Sequence, residues 1–247
     1  MRIDKLLVFL VFACLITPRG SSQQRSFSTE GQPETTEQAL QRHHVALTKP
    51  ALIAGLRDPD AEVRALAAHK LASDGSKDAI PSIVEAMNAE KVNSTRVNLA
   101  FSAATLGDEV GLTALRNSCE DGALSPYLRM VAAGYLQQLH DDSCRAAVLR
   151  QLETGDDADG LISAMSVALN FPHKSSQESE KIFDLLVKAL GSGTPGVRMN
   201  ASNMLGRLGN VAAIPYLRKA LVKEQDEACS LEMQMDIRRL QKQEQSR

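Results

Sequence analysis

The stretch Asp60-Ala61-Glu62-Val63-Arg64-Ala65-Leu66-Ala67-Ala68-His69-Lys70-Leu71 decides the fold of this chain, because its pattern returns in residues 194–205. Residues 60–87 and 194–221 align without a gap and share nine identical residues, whereas ordinary residue frequencies would give about two. The identical pairs are Val63/Val197, Arg64/Arg198, Ala67/Ala201, Leu71/Leu205, Gly75/Gly209, Ala79/Ala213, Ile80/Ile214, Pro81/Pro215 and Ala86/Ala220. A match at a fixed offset is typical of repeat proteins.

A leucine that recurs near the end of each unit gives the length of the repeat. The recurring leucines are Leu71, Leu106, Leu136, Leu169 and Leu205, and the intervals between them are 35, 30, 33 and 36. Units of about this length that contain two helices stack into helical solenoids, in which each unit contacts its neighbours. The shift that aligns residue 60 with residue 194 therefore spans four repeats.

Each repeat is predicted to be a pair of helices, A and B. In the first repeat Val63, Leu66, Ala67 and Leu71 share one face of helix B. Asp60 can cap that helix, because a short side-chain oxygen reaches the free N–H groups of the first turn. The predicted pairs are 49–57 with 61–73, 77–89 with 94–107, 109–119 with 126–140, 142–153 with 160–170, 177–190 with 195–208, and 211–224 with 230–243.

Small residues are predicted to set the spacing and the ends of the B helices. Ala67, Ala132 and Ala201 stand where a larger side chain would push neighbouring helices apart. Gly75 and Gly209 follow the B helices, where the chain often needs a positive φ. These residues therefore indicate a packed core rather than a binding site.

The pattern Leu52…Leu56, Asp58-Pro59-Asp60, Val63-Arg64, Ala67 and Leu71 resembles HEAT repeats, in the subgroup described as phycobilisome-lyase-like. The pattern recurs around Arg129 and Arg198, and the prolines of helix A stand at Pro81 and Pro215. The resemblance implies an all-α fold, a right-handed α-solenoid of about six helical hairpins. It also implies a module that mostly binds other macromolecules, although a minority of such proteins are enzymes.

In such repeats the aspartate of the turn and the arginine of helix B usually form a ladder between units. Asp58 and Arg64 fit this arrangement. Arg129 and Arg198 have no aspartate six residues earlier, so the resemblance does not predict a continuous ladder.

The first 22 residues are predicted to be a secretory signal peptide. A short charged start precedes the apolar run Leu6–Ile16, and cleavage is expected before Gln23. The run of eleven residues is shorter than the roughly 20 residues that a membrane span requires. An uncleaved anchor and a lipid anchor at Cys14 are the less favoured alternatives. Export to the periplasm or the exterior is therefore predicted, with no membrane span after cleavage.

The rest of the chain is predicted to divide into three parts. Residues 23–36 are rich in Ser, Gln, Thr, Glu, Gly and Pro, which is typical of a disordered linker. Residues 37–47 are predicted to form a capping helix that buries Leu40 and Leu47 against the open end of the solenoid. Residues 48–247 are predicted to form the solenoid, which ends in a polar C-terminal capping helix.

Charge and cysteine content limit the possible functions. The formal net charge of −2 does not favour nucleic-acid binding, which requires a basic stripe. Cys119 and Cys144 are predicted at opposite ends of successive parallel A helices. Such ends lie about a helix length apart, beyond the roughly 7 Å that a disulfide can bridge. Free, mostly buried cysteines are expected, and a bridge within an irregular third repeat is the alternative.

No metal, cofactor or catalytic site is predicted. The five histidines lack the i, i+4 spacing that places two imidazoles on one helix face. None precedes a glutamate, as the histidines do in HEAT enzymes of the deoxyhypusine hydroxylase type. The acidic segment Gly155–Gly160 lacks the twelve-residue spacing and closing glutamate of a calcium loop.

The remaining candidate is the concave face lined by the B helices. Its small, neutral and partly methionine-containing row favours a protein or peptide partner, because methionine adapts to varied surfaces. The candidate residues are Ala65, His69, Met130, Gln137, Ser163, Val167, Met199 and Asn203. We therefore predict an exported, non-catalytic binding scaffold. The alternative is a lyase-like or oxidoreductase-like HEAT enzyme, or an enzyme subunit, whose active site the sequence does not reveal.

Overall fold

The computed structural model describes residues 34–172 and 174–246. The predicted signal peptide, the cysteine at position 14 and most of the predicted linker lie outside these residues. The described residues form thirteen α-helices and two short 3-10 helices, at Lys77–Ala79 and Val211–Ala213. The helices are α1 Thr36–Arg42, α2 Lys49–Gly55, α3 Ala61–Ser73, α4 Ile80–Ala89, α5 Asn93–Thr105, α6 Glu109–Glu120, α7 Pro126–Gln138, α8 Arg145–Thr154, α9 Ala158–Leu169, α10 Ser176–Ala189, α11 Pro195–Leu208, α12 Ile214–Leu221 and α13 Glu227–Gln245.

The helices after α1 form six hairpins that stack into an α-solenoid, as predicted. The B helices are α3, α5, α7, α9, α11 and α13, and each packs along the B helix of the next repeat. The A helices α2, α4, α6, α8, α10 and α12 pack on the B helix of their own hairpin. The A helices contact one another much less, so the B helices carry most of the contact between repeats. Within the described part of the chain, no helix has the length and hydropathy needed to cross a bilayer.

Alanine and leucine positions predicted from the repeat form the core. Ala67, Ala132 and Ala201 are fully buried, as are Leu71, Leu136 and Leu205. Ala67 lies against Gly55 of α2, so closely that a Cβ atom on this glycine would stand 3.2 Å from the alanine Cβ. A larger side chain at Ala67 would therefore push the two helices of the hairpin apart. The core is continuous along the solenoid and consists mainly of aliphatic side chains.

Helix α1 covers the first repeat, but it is shorter than the predicted capping helix. Thr35 caps it through a capping box with Gln38. The helix ends at Arg42, and the chain turns at His44, which has a φ of 58°. Leu40 is buried as predicted. The prediction for Leu47 is wrong, because the chain has left the helix before this residue and exposes it.

The C-terminal helix α13 buries a carboxylate as well as apolar side chains. Asp236 is fully buried against α11, where Ser202 donates a hydrogen bond of 2.8 Å to its Oδ2 atom. Arg239 contacts the other carboxylate oxygen at 2.9 Å. Burial raises the pKa of Asp236, and Ser202 and Arg239 oppose this shift. A Cβ atom at residue 206 would collide with this carboxylate, which explains the glycine there.

Among the described residues, four B helices are followed by a residue in the left-handed region of φ. Gly75 and Gly209 have φ values of 69° and 67°, as predicted, and Gly107 has a φ of 94°. His140 occupies the corresponding position after α7 with a φ of 61°. A residue with a Cβ atom meets a steric cost in this conformation that glycine avoids.

The substitution His140→Gly is expected to stabilise the protein by about 0.5–1 kcal/mol, because it removes this cost at an exposed position. Urea unfolding followed by circular dichroism would measure the change. Gly209→Ala is the matched opposite variant and is expected to destabilise the protein by about 1 kcal/mol. Equal and negligible effects of both variants would contradict the assignment of strain to these helix ends.

The cysteine prediction is wrong, because Cys119 and Cys144 form a disulfide bond with a Cα–Cα distance of 6.2 Å. The end of α6 lies beside the start of α8, rather than a helix length away. Two ion pairs also connect these ends, Arg116 with Asp141 at 2.6 Å and Arg150 with Glu120 at 3.2 Å. Cys229 is free and buried, as expected.

Candidate functional site

Exposed and partly exposed side chains recur along the B helices at the same places, counted from each N-cap. In every B helix except α7, these side chains lie 2, 9 and 13 residues after the N-cap, and a further one lies 5 or 6 residues after it. In α7 the fifth, sixth and ninth positions are buried, and Tyr135 and Gln137 are the partly exposed residues of the later turns. These side chains form one surface along the solenoid, which we call the open B face.

The structure places the eight predicted face residues in two groups. Ala65, His69, Gln137, Met199 and Asn203 are partly exposed. The predictions for Met130, Ser163 and Val167 are wrong, because these side chains are buried. Val167 lies ten residues after its N-cap, on the packed side of α9. The distance from the N-cap to the terminal leucine varies between repeats, so positions counted back from Leu169 are out of register in the fourth repeat.

An aromatic pair that the sequence prediction missed lies on the middle of the open B face. The rings of Phe101 on α5 and Tyr135 on α7 stack with centroids 4.1 Å apart. The hydroxyl of Tyr135 donates a hydrogen bond of 2.7 Å to Oδ1 of Asn98. Burial raises the pKa of Tyr135 to about 12, so this hydroxyl remains protonated at neutral pH. Phe101 stands nine residues after its N-cap, as His69 does, and this common position is the signal that identifies it.

Polar side chains of the open B face connect adjacent repeats. The Gln137 amide donates to the carbonyl of Val167 at 2.9 Å. The Asn203 amide donates to Oε1 of Glu232 at 2.7 Å. Burial lowers the pKa of His69, while the charge of Glu37 opposes this shift. His69 is therefore neutral at physiological pH, and this part of the face carries no positive charge from it.

The C-terminal end of the open B face is apolar. Leu231 is 54% exposed and Met235 is 42% exposed, and they lie one turn apart on α13. They occupy positions five and nine after the N-cap Asp226. Partly exposed Met199 on α11 and Ile162 on α9 continue the apolar row at the fifth position. Such a row offers area for contact with a partner rather than a catalytic constellation.

Two arginines connect repeats through a contact that differs from the predicted ladder. Arg64 donates to the backbone carbonyl of Asp58 at 2.7 Å, and Arg198 donates to that of Ser192 at 2.9 Å. The arginine of helix B therefore binds the backbone six residues earlier and does not require an aspartate side chain there. The carboxylate partners are Glu90 and Glu224, which bind Arg64 and Arg198 respectively.

The two glutamates are related by the same shift along the chain that aligns residue 60 with residue 194. They lie just outside the aligned window of residues 60–87 and 194–221, and the repeat pattern therefore did not reveal them. Arg129 has no glutamate partner of this kind, because Gly155 stands where the glutamate would be. The ladder is thus complete at two of the repeat junctions among the described residues.

One cluster of potential metal ligands occurs near α1 in the described part of the chain. Single ligand atoms of His43, Asp60 and Glu62 lie within 4.8 Å of one another. Both carboxylates are exposed, and Arg42 already contacts Glu62 at 3.0 Å. A guanidinium at this distance neutralises the carboxylate that a cation would need. Arg42 and His43, at the end of α1, thus contact Asp60 and Glu62 at the start of α3.

Comparison with known families agrees with the fold. Residues 50–137 and 162–233 match the family model of HEAT repeats, which is more than half of the chain. This chain belongs to the HEAT repeat family. Both complete arginine–glutamate junctions of this HEAT repeat protein lie within the matched segments, and Gly155 lies between them.

Among solved structures, this HEAT repeat chain is similar to one described as the complex of CpcE and CpcF of phycocyanin lyase from Nostoc sp. PCC7120. The sequence identity is 20%, the TM-score is 0.37, and the alignment covers 89% of this chain and 100% of the other. No curated protein matches the chain.

Proposed function

We propose that this HEAT repeat protein is an exported, non-catalytic scaffold that binds a protein or peptide along its open B face. The row of exposed and partly exposed Ile162, Met199, Leu231 and Met235 carries this proposal. These side chains project from successive B helices, so a partner that lies across the helices can contact them all. Methionine contributes a flexible, polarisable surface that fits partners of different shapes.

Polar groups beside the apolar row support recognition of a polypeptide. Ser166 and Asn200 are partly exposed on α9 and α11, close in sequence to Ile162 and Met199. Hydroxyl and amide groups can both donate to and accept from a peptide backbone. An apolar centre with polar groups at its edge is the usual composition of a protein interface.

Export is supported by two features of different kinds. The N-terminal sequence has the three-part pattern of a signal peptide. The disulfide between Cys119 and Cys144 is typical of proteins from oxidising compartments. N-terminal sequencing of the protein isolated from its native cells is expected to begin at Gln23. A cytoplasmic protein that retains Met1 would contradict the export proposal.

Substitution of the apolar row tests the binding proposal. The double variant Ile162→Asp, Met199→Asp is expected to weaken partner binding at least about tenfold, because two carboxylates would be desolvated in the interface. The partner would first be identified by photo-crosslinking from position 166 in native cells, and its affinity then measured by calorimetry.

Val222→Asp is the matched control, since Val222 is 88% exposed next to α12, an A helix. It is expected to leave the affinity unchanged. Circular dichroism would confirm that all variants remain folded. If crosslinking recovers the same partner from position 222 and from position 166, or if the double variant binds normally, the open B face is not the binding surface.

A further inference from the structure

The two complete arginine–glutamate junctions define a receptor for a carboxylate. Arg64 contacts both oxygens of Glu90 at 2.7 and 2.9 Å, and Arg198 contacts both oxygens of Glu224 at 2.7 and 2.6 Å. The backbone N–H groups of the two residues after each glutamate donate to its Oε1 atom, at 2.8 Å for Glu90 and at 3.0 and 2.9 Å for Glu224. Each carboxylate is therefore held by one guanidinium and two consecutive backbone amides.

The third repeat retains the parts of this receptor but lacks the glutamate. Arg129 lies four residues after the N-cap Ser125, as Arg64 and Arg198 do after theirs. Gly155 lies two residues before the next N-cap, in the place of the glutamates. Its φ of −70° and ψ of 139° match the −73° and 131° of Glu90, so the backbone has the same course.

Three donors at this junction have no acceptor among the described residues. The Nε atom of Arg129 is buried without a hydrogen-bond partner in the described chain. The backbone N–H groups of Asp156 and Asp157 have no acceptor among the described residues either. In the complete junctions the equivalent three groups all bind the glutamate.

A fourth donor, the side-chain amide of Gln151, points into the same place. Gln151 is only 8% exposed, and its Nε2 atom is buried without a partner among the described residues. A Cβ atom at Gly155 would collide with this amide, and one at Gly160 would lie 2.9 Å from Nε2. The complete junctions have the small residues Ala86 and Ala220 in the place of Gln151.

We propose that the junction between the third and fourth repeats binds the carboxylate group of a ligand, in the position that Glu90 and Glu224 occupy at the other junctions. Arg129, the Gln151 amide and the N–H groups of Asp156 and Asp157 donate to it. The nearby carboxylate of Asp157 does not prevent this, because Asp226 stands in the same place beside Glu224. This site is separate from the open B face and stands independently of the proposed function.

Titration of the full chain with sodium acetate tests the site directly. Protein labelled with 15N at arginine would be followed through its Nε–H resonances, with sodium chloride as the control for ionic strength. A saturable shift of the Arg129 resonance with acetate, and none with chloride, is expected. An equal response to both salts, or no response, would overturn the proposal. Arg129→Met identifies the resonance and should abolish the response.

A variant that carries its own carboxylate provides a second, independent test. The double substitution Gln151→Ala, Gly155→Glu reproduces the residues of the complete junctions. Its Arg129 Nε–H resonance is expected to move towards those of Arg64 and Arg198 and to stop responding to acetate. If the resonance of the variant still responds as in the unmodified protein, the carboxylate does not bind at this junction.

Three peptides distinguish the source of the carboxylate. The probes are acetyl-Gly-Glu-Gly-amide, acetyl-Gly-Gln-Gly with a free C-terminus, and acetyl-Gly-Gln-Gly-amide as the neutral control. A shift of Arg129 with the first indicates recognition of acidic side chains, and a shift with the second indicates recognition of a chain terminus. Failure of both to exceed the neutral peptide would contradict a peptide carboxylate as the ligand.

Discussion

Replacing Arg198 with methionine is expected to lower the free energy of unfolding by about 3 kcal/mol. Methionine keeps much of the apolar stem but leaves the carboxylate of Glu224, whose side chain is 1% exposed, without its counter-ion. The two backbone N–H groups that also bind Glu224 remain, which keeps the loss at the lower end of the range for buried pairs. Urea unfolding followed by circular dichroism would measure the change.

A surface ion pair provides the matched control for Arg198→Met. Lys181 and Glu153 also connect two repeats, at 2.9 Å, but both side chains are more than two-fifths exposed. Lys181→Met is expected to cost less than about 1 kcal/mol, because water screens the pair. Equal losses for the two variants would show that burial of Glu224 does not determine the contribution of the junction.

The buried pair of Arg198 and Glu224 also makes the stability of the protein depend on pH. The hydrogen bond from Arg198 is the main reason that the pKa of Glu224 falls to about 2, from 4.5 in the unfolded chain. The stabilisation from this pair is therefore fully present above pH 4.5 and is lost as the pH falls towards 2. Glu224→Gln should flatten this part of the stability profile, whereas a profile identical to that of the unmodified protein would contradict the assignment.

The repeat architecture could be predicted from sequence because its signals are local. The spacing of the leucines from Leu71 to Leu205 and the apolar face of each B helix depend on the chain within one hairpin. The junction glutamates could not be found in this way, since Glu90 pairs with an arginine of the preceding repeat. A further acceptor of that guanidinium is a backbone carbonyl, which any residue type provides.

The errors in the candidate face have a different physical cause. Whether Met130 is exposed depends on how closely adjacent helices approach, and the sequence of a single helix does not report this distance. Counting from the N-caps gives the correct register for Val167, because the N-cap fixes where each helix begins. Ile162 and Leu231 follow from that rule, whereas the spacing of the terminal leucines varies between repeats.

Removal of the disulfide is the second change with a large expected effect. The double variant Cys119→Ala, Cys144→Ala is expected to be less stable by about 3 kcal/mol, because the bond closes a loop with a sequence separation of 25. Both cysteines are buried, so the protein requires a reductant together with urea before the bond becomes accessible. Unfolding with and without dithiothreitol would measure the loss in the unmodified protein.

The double variant supplies the control for the reductant itself. Dithiothreitol is expected to destabilise the unmodified protein and to leave the variant unchanged, because Cys229 is free in both. The ion pairs Arg116–Asp141 and Arg150–Glu120 still join α6 to α8 in the variant, so it should keep the native far-ultraviolet spectrum. Unfolding midpoints that do not change with reductant would show that the thiols are not joined in solution. In that case the stagger of the two A helices is held by the ion pairs and by packing alone.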